Sequence, residues 1–335
     1  MKLIAPTSPK ELANRARWFK TIKARELAET RAVEFGFELK GPLEDIQEAP
    51  PLFWGVHLPD SFSTEWYYHP EIREKLFSKV SKLSKLKPDY FVLHGTHLLW
   101  HPPAKEYIRR YENRSQPSEY FKVLKANIDL IKNLKKILPL KIENYPLYDY
   151  YQKNNHILPE TYLYTGIGRL NDLLYLKEKT GVDILFDLEH MIIMLNFLNR
   201  ERNYHNLPIK KIDKLTADDQ RLKAIFGFYL KKGYIPYVDK KITLEEMITK
   251  IGAKFYHLTG STCDVIHGER IATHAPINID DKTFRKHLGL ILAQKPEALV
   301  IETANSKINS CWNHLRPNET EISFRNLCEI LLEEL

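Results

Sequence analysis

Residues 183–190 read DILFDLEH. The apolar run Ile184-Leu185-Phe186 has the length and composition of a buried strand. It delivers Asp187 at its exit and His190 three positions later. A buried strand has no packing use for a carboxylate and an imidazole there, so the fold must bring something to that end. Working outward, the same design recurs along the chain. KLIAPTS (2–8), AVEFGFEL (32–39), FWGVHLPD (53–60), DYFVLHGTH (89–97), LKIENYP (140–146), KFYHLTGS (254–261) and ALVIETAN (298–305) are further short apolar runs that give way to polar residues. AVEFGFEL reads equally as the end of a helix.

Between most of these runs lie amphipathic segments rich in Lys and Leu. PEIREKLFSKVSKLSKL opens on a proline suited to a first helical turn. SEYFKVLKANIDLIKNLKKIL and DDKTFRKHLGLILAQ space their apolar residues at three- and four-residue steps. Alternating strands and helices predict a parallel sheet. Eight such units predict an α/β fold closed into a (β/α)8 TIM barrel, whose chemistry sits at the C-terminal ends of the strands. Residues 1–335 form one domain on this reading, with a helical insertion at 196–250 between the sixth and seventh strands. A terminal segment, 306–335, closes with the helix ISFRNLCEILLEEL.

Composition narrows the class. The chain has 335 residues, 43% of them hydrophobic, which is enough for one large core. No apolar stretch approaches the length of a membrane span, and the N-terminus lacks the long apolar core of a signal peptide. Cys263, Cys311 and Cys328 show no C-x-x-C spacing, which predicts a reducing, cytoplasmic setting without a disulfide framework. The formal charge of +7 suits a polyanionic partner. Lysines spread along the whole chain also suit ordinary solvated surface. Nothing points to a membrane or a protein partner.

The residues at the strand ends are His57, His94, Glu143, Asp187 with His190, His257 and Glu302, and His274 lies on the loop segment ATHAPINID. On a barrel all of them converge on one mouth. Singly, each has a plainer use: a histidine after a strand is commonly a satisfied core or surface residue, and Glu143 or Glu302 could cap a helix N-terminus. Together, five imidazoles and three carboxylates exceed the needs of an acid/base pair. Histidine with carboxylate suits Zn2+, Mn2+ or Fe better than calcium or magnesium. Such a set has donors for two or three ions, with a carboxylate bridging a pair. A cluster of that kind binds phosphoryl oxygens and lowers the pKa of a bound water.

With these residues in view, the chain resembles endonuclease IV, the abasic-site nuclease of the xylose-isomerase-like TIM barrels. The resemblance runs in order along most of the chain. VHLPDSF is similar to the segment carrying the family's first histidine, here His57. FVLHGTHLL resembles H-P-G-S-H-L without its proline, and places His94. KIENYP resembles the I-E-N motif with its bridging carboxylate at Glu143, and FDLEH resembles D-T-C-H, placing Asp187 and His190. YHLTGS and LVIETAN are similar to H-L-N-D and L-I-L-E-T, placing His257 and Glu302. The departure is in ATHAPINID, where the family has D-R-H-x-x-[IL]-G-x-G. His274 and Ile277 match, Ala272 replaces the aspartate, and Asn278 and Asp280 replace the glycines. His190 and His274 would thus lack the anionic partner for a third zinc, unless Glu269 or Asp264 supplies one.

The resemblance implies a metal-dependent phosphodiesterase cutting damaged duplex DNA, with a metal-activated hydroxide attacking in line. Glu143 would bridge two ions, and His190 and His274 would sit by the phosphate as further catalytic residues. The lesion would be turned out of the stack into the barrel mouth. Trp66 and Tyr67, beside Tyr68, would wedge into the gap, although TEWYYHP also reads as a loop anchored by aromatics. Three other functions stay open on the same barrel. A sugar isomerase or epimerase would use one divalent ion at Glu143, Asp187, His257 and Glu302 and would not need His57 and His94. A multinuclear iron oxidase of cysteine-containing peptides would use similar ligands. A barrel that had lost catalysis would serve as a DNA damage sensor.

Overall fold

A computed structural model describes residues 1–40, 45–58, 70–94, 117–144, 149–153, 156–160, 170–192, 195, 243–260, 265–266, 269–270, 274–303 and 319–335. Eight parallel strands form a closed barrel. They are β1 (Lys2–Thr7), β2 (Glu34–Leu39), β3 (Phe53–His57), β4 (Tyr90–His94), β5 (Leu140–Glu143), β6 (Asp183–Asp187), β7 (Phe255–Leu258) and β8 (Ala298–Ile301). Neighbours in sequence are neighbours in the barrel, and β8 pairs with β1 to close it. All eight expected runs are strands, each stopping within a few residues of where its run turns polar.

The pleat sends alternate residues inward. Ile4, Tyr90, Val92, Leu185, Phe255, Ala298 and Val300, with Phe53 against them, form an apolar plug separate from the larger core under the helices. At the plug's far end the Lys2 and Lys141 ammonium groups lie over the Phe53 and Phe255 rings, at 4.9 and 3.8 Å. Two residues further along the strands the same inward positions become polar. Val92 is followed by His94, Leu185 by Asp187, Phe255 by His257 and Val300 by Glu302. The ladder overshoots by a residue at several strands, so those side chains stay in register. The Glu302 N–H bonds Leu258 O at 2.8 Å and the Leu58 N–H bonds Val92 O at 3.0 Å.

The helices are α1 (Leu12–Ala16), α2 (Ile22–Arg31), α3 (Pro70–Ser84), α4 (Pro117–Lys135), α5 (Leu170–Thr180), α6 (Leu244–Ile251), α7 (Lys282–Leu292) and α8 (Glu319–Glu334). The double reading of AVEFGFEL resolves locally: α2 ends at Ala32 in the left-handed region (φ 51°), and β2 begins at Glu34. The helix α6 begins inside the stretch 196–250 and ends one residue beyond it. Thr243 and Glu246 close a reciprocal capping box at its start, and Gly252 ends it at φ 55°. Its buried Met247, Ile248 and Ile251 join the main core. Residues 196–242 of the expected insertion, together with Trp66, Tyr67, Tyr68, Asp264 and Ala272, lie outside the described residues. The last helix, α8, runs along α2, where Arg31 donates to Leu332 O at 3.0 Å.

Two antiparallel ribbons were not foreseen. Asp149–Lys153 pairs with His156–Glu160 after β5, and Val265–Ile266 pairs with Glu269–Arg270 after β7. Both lie in connections that follow strand C-termini. Among the described residues no helix is long and apolar enough to cross a membrane. Cys328 is buried, which pushes its thiol up to about 12 and leaves it an inert core residue.

One glycine carries the layer between plug and mouth. Glu38, Gly55 and Tyr90 stand side by side across β2, β3 and β4. The Tyr90 ring crosses directly over Gly55 to donate its hydroxyl to Glu38 Oε2 at 2.9 Å. A Cβ on residue 55 would fall inside that ring. Gly55→Ala is therefore expected to destabilise the fold by about 1–3 kcal/mol, read as a lower urea midpoint at unchanged slope.

Candidate metal centre

At the C-terminal mouth the side chains converge on Glu143, which is fully buried at the end of β5. Its Oε2 lies 2.9 Å from His57 Nε2 and 2.7 Å from His94 Nε2. Its Oε1 lies 3.3 Å from His257 Nδ1 and 3.3 Å from His190 Nδ1. One carboxylate thus faces four imidazoles, two on each oxygen. It caps no helix. The rings of His274, His190, His94, His57 and His257 follow one another around the mouth, with successive centroids 6.3, 6.1, 5.0 and 5.8 Å apart.

Local chain chemistry explains how Asp187 and His190 come to act together. The chain turns helical directly after β6. Asp187 Oδ1 accepts from the His190 N–H at 2.6 Å, the N-cap arrangement for the first turn. Asn144, next to Glu143, clamps the same corner: its Oδ1 accepts from Asp187 N–H at 2.7 Å and its Nδ2 donates to Asp187 O at 3.0 Å. The amide prolongs the β5–β6 ladder by a side chain. His190 Nδ1 also sits 3.0 Å from Asn144 O.

His274 arrives on its loop with φ 43°. Glu189, a buried carboxylate between Asp187 and His190, accepts from the His274 N–H with both oxygens, at 3.2 and 3.1 Å, and lies 3.2 Å from its Nδ1. The side chain of Glu269 and all of Asp264 lie outside the described residues, so Glu189 is the described anion nearest His274. Asn278, further along that loop, has a local role as well. Asn278 Oδ1 accepts from Asp280 N–H at 3.1 Å, forming an Asx-type turn into α7, whose N-cap is Asp281.

Three residues at the mouth went unforeseen. Glu38, from β2, is fully buried and lies 3.2 Å from His257 Nε2. Tyr90 holds it from below. Lys40 binds the far side of Glu302 and lies 3.4 Å from Glu38 Oε1. The one available signal was the alternation E-L-K at the end of AVEFGFELK, which turns Glu38 and Lys40 to the same side.

The electrostatics are those of ionisable groups crowded away from water. Burial pushes the Asp187 carboxyl up, and Glu302 and Glu143 push it further, so it sits well above the usual carboxylate range despite His190. Burial also opposes charge on Glu143, but His94 and His257 outweigh it and hold that carboxyl well down. Glu302 goes down likewise, through His257 and Lys40. Burial works against the imidazolium of His190 and His257, yet the surrounding carboxylates raise both well above the ordinary histidine value.

The donor set fits a metal. His57, Glu143, His257 and Glu302 offer ligand atoms all within 4.8 Å of one another, as do Glu143, Asp187 and His190. The two groups share Glu143. Asp187 Oδ2 is buried with no hydrogen-bond partner, a costly state for a carboxylate oxygen unless something cationic meets it. Of the expected ligands, His57, His94, Glu143, Asp187, His190, His257 and Glu302 are drawn together here. His274 stands at the edge, joined through Glu189 and the His190 ring.

No protein-family model and no curated protein sequence matches the chain. Solved structures similar to it include a D-tagatose 3-epimerase-like protein, 12% identical, covering 99% of this chain and 97% of the other at a TM-score of 0.46. Another is a Thermus thermophilus protein soaked with ZnCl2, at 13% identity, 98% of each chain and a TM-score of 0.42. A third is a xylose isomerase domain protein from Planctomyces limnophilus, at 11% identity, 100% of this chain and 96% of that one, TM-score 0.45.

A pH dependence follows from the shifts. His190, His257 and Asp187 all hold protons more tightly than their ordinary values, and a bound cation must displace those protons. Zinc affinity is therefore expected to climb from pH 6 to pH 8, with protons released on binding. Competition titrations at several pH values, and titration in weak buffer with a pH indicator, would check it.

Proposed function

We propose that the chain is a metal-dependent phosphodiesterase that cuts DNA at abasic or damaged sites. The observation that carries this reading is the division of Glu143, whose Oε2 faces His57 and His94 while its Oε1 faces His257 and His190. A carboxylate so divided suits a pair of ions, for which a single-ion enzyme has no use. When bound, Zn2+ or Mn2+ would supply an activated water and neutralise charge on a phosphoryl group. Iron is a further candidate for the same donors.

The chain's own residues divide the remaining work. Glu143 would hold the two positions at a fixed separation. His57, His94, Asp187, His257 and Glu302 would serve these positions beside it. The Asn144 clamp keeps Asp187 and His190 at the strand exit. His190 and His274 would meet the non-bridging phosphate oxygens, with Glu189 fixing the His274 loop in its left-handed turn. The formal charge of +7 favours approach of a polyanion. Trp66 and Tyr67 are assigned the wedge that enters the lesion gap.

A second reading has its own observation. His257 Nδ1 lies 2.6 Å from Glu302, 3.3 Å from Glu143 and 3.7 Å from Asp187. Those four residues make the one-ion set of a sugar isomerase or epimerase. The two readings separate on metal content. On the phosphodiesterase reading, elemental analysis finds two or three ions per chain. His94→Ala loses about one of them, Glu143→Gln loses the pair, and both abolish chelator-sensitive nicking of a duplex with one abasic site. On the isomerase reading the chain holds one ion, and His94→Ala keeps it. Two or three irons would instead favour an oxidase.

A further inference from the structure

The sequence motifs name the ligands but leave open which ring nitrogen of each histidine a metal would take. His257 is the acute case, because both its nitrogens face carboxylates. Nδ1 looks toward Glu302 and Glu143, at 2.6 and 3.3 Å, and Nε2 looks toward Glu38, at 3.2 Å. The ring is fully buried, so it has no water to turn toward. Glu38 is itself tied down. The Tyr90 hydroxyl donates to the same Oε2 that faces His257, and Lys40 lies 3.4 Å from Oε1.

We infer that Glu38 and Lys40, from a strand that supplies no ligand, are positioning residues for the metal centre: Glu38 holds the Nε2–H of His257 and so presents Nδ1 as the donor, while Lys40 takes one oxygen of Glu302 and leaves it a one-oxygen ligand. The inference deepens the metal-centre reading above and rests on it. A ligating histidine commonly donates its other N–H to a carboxylate, which fixes the ring and raises its basicity. Here the carboxylate, its phenol support and the gap at Gly55 that admits the phenol lie on three adjacent strands at matched register. Lys40 Nζ reaches the other oxygen of Glu302 from the partly open rim. The Oε2 that faces His257 then points inward. Neither residue touches the reacting atoms on this account.

The test is zinc competition titration against a chromophoric chelator on the full chain, with long-range 15N–1H correlation of the zinc-loaded protein to read the His257 ring. In the wild type we expect metal at Nδ1 and a proton on Nε2. Glu38→Ala is expected to weaken zinc about 10–100-fold, while Glu38→Gln, whose amide oxygen still accepts from Nε2–H, recovers most of that loss. Tyr90→Phe should cost less than Glu38→Ala, and it carries the test alone if Glu38→Ala does not fold. Wild-type affinity in a folded Glu38→Ala or Tyr90→Phe chain overturns the inference, as does metal at Nε2 of His257. A wild-type chain that takes up ions with these signatures but nicks no DNA leaves the inference standing and overturns the phosphodiesterase reading alone. A chain that takes up no ion overturns both.

Discussion

The Glu143 carboxylate is the interaction on which the mouth of the barrel depends, and its position is set by the sheet. In a closed parallel barrel every second residue faces in, so a strand that fills the plug with Leu185 or Phe255 must present Asp187 or His257 one pleat later. The plug excludes water from below. That exclusion is what gives each charge above it such weight, since an ion pair in a dry pocket is screened little. With its oxygens turned to different histidine pairs, Glu143 ties residues from four other strand ends and their loops into a single cluster.

Much of this was legible in the sequence. The barrel followed from eight apolar runs separated by helical patterns, because parallel strands covered on both faces must be almost wholly apolar. The cluster at the strand ends was legible for the complementary reason: a charged group at the end of such a run is expensive unless it has a partner. Glu38 escaped because AVEFGFEL begins beside a helix exit and carries a second glutamate, so the pleat could not be phased until Ala32 was seen to end α2 in the left-handed region. Tyr90 and Gly55 escaped because their meaning lies in register between strands, which no single segment contains. Glu189 sat in plain view in DLEH. Its partner is a backbone N–H 85 residues away, a pairing only the fold creates. The two ribbons are short and polar, built from pairings with little apolar periodicity to announce them.

The loop that carries His274 also gains a physical reading, since a buried glutamate meets it from the segment after β6. Glu189 takes hold of the His274 backbone with both oxygens. It therefore spends its acceptors on fixing a strained turn, a use that competes with direct coordination. The outcome is a loop pinned toward His190, with a Glu189 oxygen 3.2 Å from His274 Nδ1.

Charge balance separates the readings at the level of the whole mouth. Among the described residues Glu38, Glu143, Asp187, Glu302 and Glu189 face Lys40 there, leaving an excess of four negative charges when the imidazoles are neutral. One dication would leave two of those negative charges, which repel a phosphodiester and tolerate a neutral sugar. Two dications would cancel the excess, so that an anionic backbone could enter without net repulsion and its developing charge be met by fixed groups. Protonation of Asp187 shifts each total by one without altering the contrast. The number of ions the mouth holds thus bears on the charge of the substrate it would accept, and His94, the histidine on Glu143 Oε2 that lies outside the set of His57, Glu143, His257 and Glu302, is the one a lone ion in that set would leave idle.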